Sequence, residues 1–345
     1  MYTINGKILS RNVNGQIRVA IETIKELDKI VPEGEFEIVA PFSKFSIEGL
    51  KNIRIIRFGM GNAHIWEQTY YVRYLIANKR VGINFLNSHP IVKPDICYIH
   101  DILFNAYPKL YCSFYGRLQK RWNLLMQKAA AQKAKRIITV SQFSKFEIEK
   151  YYPKIESNKI SVIYNGWQHF DLIDFDDSVY NKVQSIRYRK FVMAASGLTP
   201  QKNFNWIIEN AKCNPDYLYV IVGNRENSTQ LDIENTNNIV FTGRLSDSEM
   251  KTLMRDCEAF IHPAIYEGFG LTPLEAIASG CRKIIVSNAA CLPEIYGDCA
   301  IYIDPQNPEV ALEGLLKSHH ENPEILLKKY SWENAAKELL NILNS

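Results

Sequence analysis

His262-Pro-Ala-Ile-Tyr-Glu267-Gly-Phe-Gly270-Leu-Thr-Pro-Leu-Glu275-Ala-Ile-Ala-Ser-Gly280 is the stretch on which the reading of this chain turns. A β-branched and aromatic run leads through two glycines into a helical pattern, so strand, loop and helix follow one another. Thr272 is placed to cap the helix, with Pro273 at its first position and Glu275 three residues past the cap. The first amides of such a helix favour anions, and loop glycines let a ligand approach the backbone. Thr-x-x-Glu is also a capping box, as is Ser246-x-x-Glu249, which gives Glu275 a purely structural reading beside the ligand-binding one. Glu267 has no capping role; a carboxylate on a loop after a strand is placed for a ligand.

Outward from this stretch, the same alternation of short apolar runs and helical periodicity fills the chain, the signature of α/β units around parallel sheets. Strands are expected at 2–9, 36–40, 53–58, 83–86, 96–99, 137–140 and 160–164, and again at 191–195, 218–222, 239–242, 259–262 and 283–286. Helices fall between them at 16–30, 65–77, 115–134, 143–151, 204–211, 247–257 and 273–279. With 345 residues the chain exceeds what one core usually holds. The expected fold class is therefore α/β, with two doubly wound Rossmann-like domains facing each other so that their strand ends surround a cleft. Residues 1–165 form the first domain and 190–325 the second. The polar, aperiodic interval 166–189 reads as a linker, and 326–345 ends in an amphipathic helix that could pack back on the first domain.

Composition excludes several classes. Apolar residues make up 46% and charged residues 23%, as in ordinary globular proteins. No apolar stretch reaches membrane-spanning length, and the start carries no leader pattern, so the expected location is cytoplasmic. Seven cysteines without a C-x-x-C pair argue against a disulfide framework or a thiolate metal site. Asp174-Phe-Asp176 resembles a metal motif only superficially, because it lies among acidic residues of the expected linker; no metal and no cofactor are expected.

Charge is divided unevenly. Residues 1–165 carry 25 Lys/Arg against 13 Asp/Glu, a net +12, and the rest carry 16 against 24, a net −8. The basic excess peaks from Lys109 to Arg136, where eight Lys/Arg occur with no carboxylate, among Tyr111, Phe114, Tyr115 and Trp122. Such a segment suits an anionic membrane surface, or is the solvated face of an ordinary helix. Nucleic acid is not an expected partner, since no recognisable docking motif accompanies the charge.

Three further loops follow expected strands. The loop Ser10-Arg-Asn-Val-Asn-Gly15-Gln-Ile-Arg18 is either a turn or a backbone surface opened by Gly15. His100, at the end of Ile96-Cys-Tyr-Ile-His100-Asp101, is a core residue or a polar group facing the cleft. Lys202 ends Ala195-Ser-Gly-Leu-Thr-Pro-Gln-Lys202 and is a solvated charge or a phosphate ligand.

Taken together, Glu267-Gly-Phe-Gly270, Glu275, Val240-Phe-Thr-Gly243-Arg-Leu-Ser-Asp-Ser-Glu249, Ala276-Ile-Ala-Ser-Gly280 and Leu292-Pro-Glu294-Ile-Tyr-Gly-Asp298 resemble, in order, the retaining glycosyltransferases of family four. The resemblance is most specific over residues 190–305. It implies the two-domain GT-B fold, with the first domain binding an acceptor and the second a nucleotide-sugar. It further implies that Glu275 binds the ribose diol, that Glu267 with the backbone of Gly268, Phe269 and Gly270 grips the donor sugar, and that the amides of Leu271 and Thr272 meet phosphate with Lys202. Gly15 would approach the sugar phosphate and His100 would orient the transferred sugar. Relatives commonly add an arginine in the Lys202 loop; Gly197 and Gln201 stand there, and Arg244 is the candidate substitute. The implied partners are a nucleotide-sugar donor and a glycan or lipid-linked acceptor in cell-surface polysaccharide synthesis. The alternatives on the same fold are a sugar-nucleotide epimerase, a phosphorylase and a noncatalytic nucleotide-binding subunit.

Overall fold

Two parallel sheets organise the chain. The computed structural model describes residues 1–111, 113–197, 199–223 and 236–345; Cys112 and Leu198, in two of the stretches singled out above, lie outside them. The chain divides into one unit of residues 1–166 with 332–345 and a second of 167–331.

In the first unit the described strands are β1 (Tyr2–Asn5), β2 (Phe36–Ala40), β3 (Arg54–Arg57), β4 (Val81–Asn84), β5 (Ile96–Tyr98), β6 (Arg136–Thr139) and β7 (Ile160–Val162). They pair in parallel in the order β3-β2-β1-β4-β5-β6-β7. The second unit holds β8 (Phe191–Ala195), β9 (Leu218–Val222), β10 (Ile239–Phe241), β11 (Ala259–His262), β12 (Ile284–Ser287) and β13 (Ile301–Ile303), also parallel, in the order β10-β9-β8-β11-β12-β13. Both sheets are doubly wound α/β layers, as expected. Central strands such as Phe191–Ala195 and Leu218–Val222 are buried at every residue, because helices cover both faces. Each order reverses once, between β1 and β4 and between β8 and β11, and the loops beyond those strand ends are where open α/β sheets hold ligands.

Several expectations are corrected. The strand expected at 2–9 stops at Asn5 and becomes a 3-10 turn, Gly6–Ser10, whose first amides are met by the Asn5 side chain, which accepts from Lys7 N at 3.1 Å. The apolar Ile8-Leu9 pair that prolonged the strand reading is buried in that turn. The helix expected at 65–77 is broken into Ala63–Trp66, a π-helical turn Glu67–Tyr71 and Val72–Ala77. Strand β13 was not foreseen.

The interval 166–189 is not a free linker, for nearly all of it belongs to the second unit. Lys251 Nζ donates to the carbonyls of Phe170 and Ile173 at 2.5 and 2.7 Å, Thr252 Oγ1 accepts from Asp176 N at 2.8 Å, and Lys182 pairs with Glu249 at 2.5 Å. The interval is thus fastened to helix Asp247–Asp256, which starts with the expected Ser246/Glu249 capping box. Asp176 Oδ1 also accepts from Ser178 N at 3.0 Å, a local turn contact. The terminal helix, Trp332–Asn344, belongs to the first unit, and Tyr2 donates its hydroxyl proton to Leu343 O at 2.7 Å.

Candidate functional site

In the second unit the β8/β11 reversal brings two loops together. After β8 the chain forms the turn Pro200–Lys202, and Asn203 adopts a left-handed conformation (φ 57°). Asn203 Nδ2 donates to Pro263 O at 3.1 Å and Ile265 N to Gln201 O at 2.9 Å, so the loop after β8 is tied to the loop after β11. The result is an ion pair between Lys202 Nζ and Glu267 Oε1, to which His262 Nε2 adds a contact of 2.9 Å. Burial acts to raise the Glu267 pKa, but Lys202 and His262 outweigh it and hold the carboxyl at about 2. Burial in turn lowers the His262 pKa, against the pull of Glu267. His262 was not singled out by its sequence; its place at the last residue of β11, before Pro263, was the available signal.

The helix expected to begin after a Thr272 cap begins earlier. It spans Leu271–Ala278, and its N-cap is Gly270 in a left-handed conformation (φ 80°, ψ 59°) without a side-chain cap. Thr272 is therefore inside the first turn, and Glu275 is not a capping-box partner. The amides of Leu271 and Thr272 lie in that first turn, where helices bind anions. Gly270 has no room for a side chain, since a Cβ there would sit 2.7 Å from Leu292 Cδ2. Phe269 is buried and its ring packs edge-on against Tyr330, with centroids 5.4 Å apart, so the ring belongs to the packing of the second unit.

Relieved of capping, Glu275 meets His169: His169 Nε2 lies 3.0 Å from its Oε1, both residues buried. His169 lies in the segment read as linker, and no periodicity or motif marked it. Arg244 is exposed beyond the bridge between Gly223 and Gly243, and no described contact joins it to the Glu267 cluster.

In the first unit Gly15 is the first residue of helix Gly15–Ile30, capped by Asn14, whose Oδ1 accepts from Ile17 N at 3.1 Å. A Cβ on Gly15 would meet nothing within 4 Å, so neither packing nor backbone demands glycine there. His100 is only 6% exposed. Its Nε2 lies 2.7 Å from Phe85 O, and its amide donates to Asn87 Oδ1 at 2.8 Å. A carbonyl only accepts, which fixes the proton on Nε2 and leaves Nδ1 as the acceptor. Burial lowers its pKa to about 4 despite the Phe85 bond, so the ring is neutral at pH 7. Asn87 also lines a cavity of about 880 Å³ beyond the ends of β1 and β4.

Two doubly wound α/β units, each with a loop cluster at its reversal, are the architecture of the GT-B class of nucleotide-sugar enzymes. Residues 180–343 match the family model for glycosyl transferases group 1, and residues 13–168 match that for Glycosyltransferase Family 4. The chain belongs to the family-four glycosyltransferases of GT-B fold. It is 26% identical over 286 residues to the O-antigen chain mannosyltransferase RfbU of Salmonella typhimurium, covering 79% of this chain and 76% of that one. To O-antigen chain mannosyltransferase B of Escherichia coli it is 26% identical over 288 residues, 75% and 72% of the two chains. Among solved structures it resembles Anabaena HepE in complex with UDP and glucose, with a TM-score of 0.71 and 18% identity over 100% of this chain and 99% of that one.

Proposed function

We propose that the protein is a retaining, metal-independent hexosyltransferase that moves a sugar from a nucleotide-sugar to a hydroxyl of a glycan or lipid-linked acceptor in cell-surface polysaccharide synthesis. The observation that carries the reading is the pair of carboxylates flanking the uncapped start of helix Leu271–Ala278: Glu275 held by His169, and Glu267 held by Lys202 and His262. Glu275 accepts the two ribose hydroxyls, since one carboxylate takes two donors at once. The amides of Leu271 and Thr272 and the helix dipole receive the diphosphate, with Lys202 as the neighbouring cation. Glu267 and the Gly268–Gly270 backbone fix the sugar. Gly15 leaves room for the backbone to approach the donor, and His100, through Nδ1, orients the transferred sugar. The departing phosphate takes the acceptor's proton on the same face, so no protein nucleophile is required and positioning accounts for most of the rate. The names of the relatives favour mannose as the first hexose to test.

A membrane-bound acceptor suits helix Phe114–Lys133. Phe114 is 75% and Leu125 47% exposed, and Arg117, Arg121 and Lys128 are exposed with them. Among the described residues no helix is long and apolar enough to cross a membrane, so this helix would act by lying on an anionic surface from the cytoplasmic side. Titration with UDP-, GDP- and dTDP-sugars, followed by the anomeric configuration of any product by NMR, tests the reading. An inverted product, or no nucleotide binding at all, defeats it.

A further inference from the structure

The second unit begins at Trp167 and ends at Ser331, and the residues just inside those ends are tied to one another. Trp167 Nε1 donates to Leu327 O at 2.9 Å, and Gln168 Nε2 donates to Tyr330 O at 3.3 Å. The next residue, His169, donates from Nε2 to Glu275 Oε1 at 3.0 Å, because an ionised carboxylate only accepts. Helix Leu271–Ala278 accordingly packs against both the turn Gln168–Phe170 and helix Ile325–Lys329.

Tyr330 carries the connection on to the start of that helix. It is 1% exposed; its hydroxyl donates to Ile295 O at 3.1 Å, and its ring meets that of Phe269 edge-on. Ile295 lies in helix Leu292–Tyr296, whose last carbonyls have no partner within the helix, and the Tyr330 hydroxyl supplies one. Tyr296, next in that helix and fully buried, donates its hydroxyl proton to Gly270 O, the N-cap carbonyl of Leu271–Ala278. Burial pushes the Tyr296 hydroxyl pKa well up, which keeps the group a donor. The contacts close a circuit: from Gly270 through Tyr296, Ile295, Tyr330, Gln168 and His169 to Glu275, one turn into the same helix.

Packing alone does not call for these hydroxyls. Phenylalanine fills nearly the same volume, and what a buried, satisfied hydroxyl adds is a fixed direction. Direction is what the start of this helix lacks in itself, since Gly270 is left-handed and carries no side-chain cap.

We propose that Tyr296 and Tyr330 are positioning residues of the donor site, bracing the Gly270 carbonyl and the Phe269 ring so that the first-turn amides of Leu271–Ala278 and the His169–Glu275 pair are held as one rigid body. The inference rests on the glycosyl-transfer reading for what that body binds, but not for the bracing itself.

Amide hydrogen exchange on the ligand-free full chain tests it, with UDP-, GDP- and dTDP-sugars titrated into the same samples and steady-state kinetics measured with the sugar nucleotide that binds. Tyr296→Phe and Tyr330→Phe each keep the ring and remove only the hydroxyl, so the fold is retained. Tyr296→Phe is expected to raise exchange over residues 268–274 about tenfold, and Tyr330→Phe to raise it over both 268–274 and 167–170, with β8 and β9 unchanged. In each variant kcat should fall about fivefold to tenfold while donor KM changes less than twofold, because amides aimed at a leaving phosphate matter most as its charge develops. Exchange over 268–274 that is unchanged in both variants, or raised evenly across the second unit, would overturn the proposal, as would a kcat equal to that of the wild type. Exchange rising as expected in a protein that binds no nucleotide would support the brace and defeat the donor reading instead.

Discussion

His169 Nε2 lies 3.0 Å from Glu275 Oε1, joining residues 106 positions apart in the chain. The contact orients a carboxylate that has no capping partner on its own helix. A hydrogen bond to a charged group is worth about 1.5–3 kcal/mol. His169→Ala is accordingly expected to raise the donor Kd roughly tenfold, and Glu275→Ala more, by isothermal titration with the nucleotide-sugar. Unchanged donor affinity in both variants would remove Glu275 from the donor site.

Lys202 and Glu267 are linked to acid stability. The folded-state pKa of Glu267, about 2, lies below its value of 4.5 in the unfolded chain. Its contribution is therefore complete above about pH 4.5 and is lost as pH falls toward 2. At about 1.4 kcal/mol per pKa unit the contribution is on the order of 3 kcal/mol. In Lys202→Met the melting temperature should fall at pH 6–7, and the gap to the wild type should narrow below pH 4. The same variant should weaken donor binding, read by titration at pH 7. A gap that widens in acid would contradict the pairing.

His100 is expected to act as a neutral group. Its pKa, lowered to about 4, is below the unfolded value near 6.5, so its burial favours the folded state above about pH 6.5 and progressively less as pH falls toward 4. His100→Ala should lower kcat about 10- to 100-fold, the scale of one hydrogen bond to a group developing charge, with little change in donor KM. Steady-state kinetics between pH 6 and 8 should show no inflection that disappears in this variant.

The two loop glycines predict opposite behaviour. Gly270→Ala forces a side chain into a left-handed backbone against Leu292 and should cost about 1–2 kcal/mol or more in chemical denaturation. Gly15→Ala enters open space on a helix and should leave stability equal or raised by about 0.5–1 kcal/mol. Reduced activity in a stable Gly15→Ala protein would locate a ligand at that backbone; full activity would remove Gly15 from the site.

Helix Phe114–Lys133 predicts salt-sensitive adsorption. Replacing Arg121 and Lys128 by Gln should weaken binding to anionic vesicles by about 1 kcal/mol per residue, roughly 30-fold together. Phe114→Ser should weaken it further. Cosedimentation that is insensitive both to salt and to these changes would leave the helix as a solvated face.

The two α/β halves, the strand–loop–helix of Glu267 to Glu275, the Ser246/Glu249 cap and the family were all legible along the chain. Those features are written in residues close together, through alternation, helical spacing and turn chemistry. Which side chains meet depends on the folded arrangement of distant segments. Glu275 could be read as a capping residue until Gly270 was seen to start the helix and His169 to hold the carboxylate. Lys202 could be read as a solvated charge until the β8/β11 reversal set it on Glu267. Lys7 sat inside an apparent strand, because Ile8 and Leu9 prolong its apolar run, while its partners Glu67, His64 and Ser88 are 57 to 81 residues away. Local periodicity records which face of an element is buried. It does not record which distant loop the sheet order brings over that face, and buried charges find their partners only through that order.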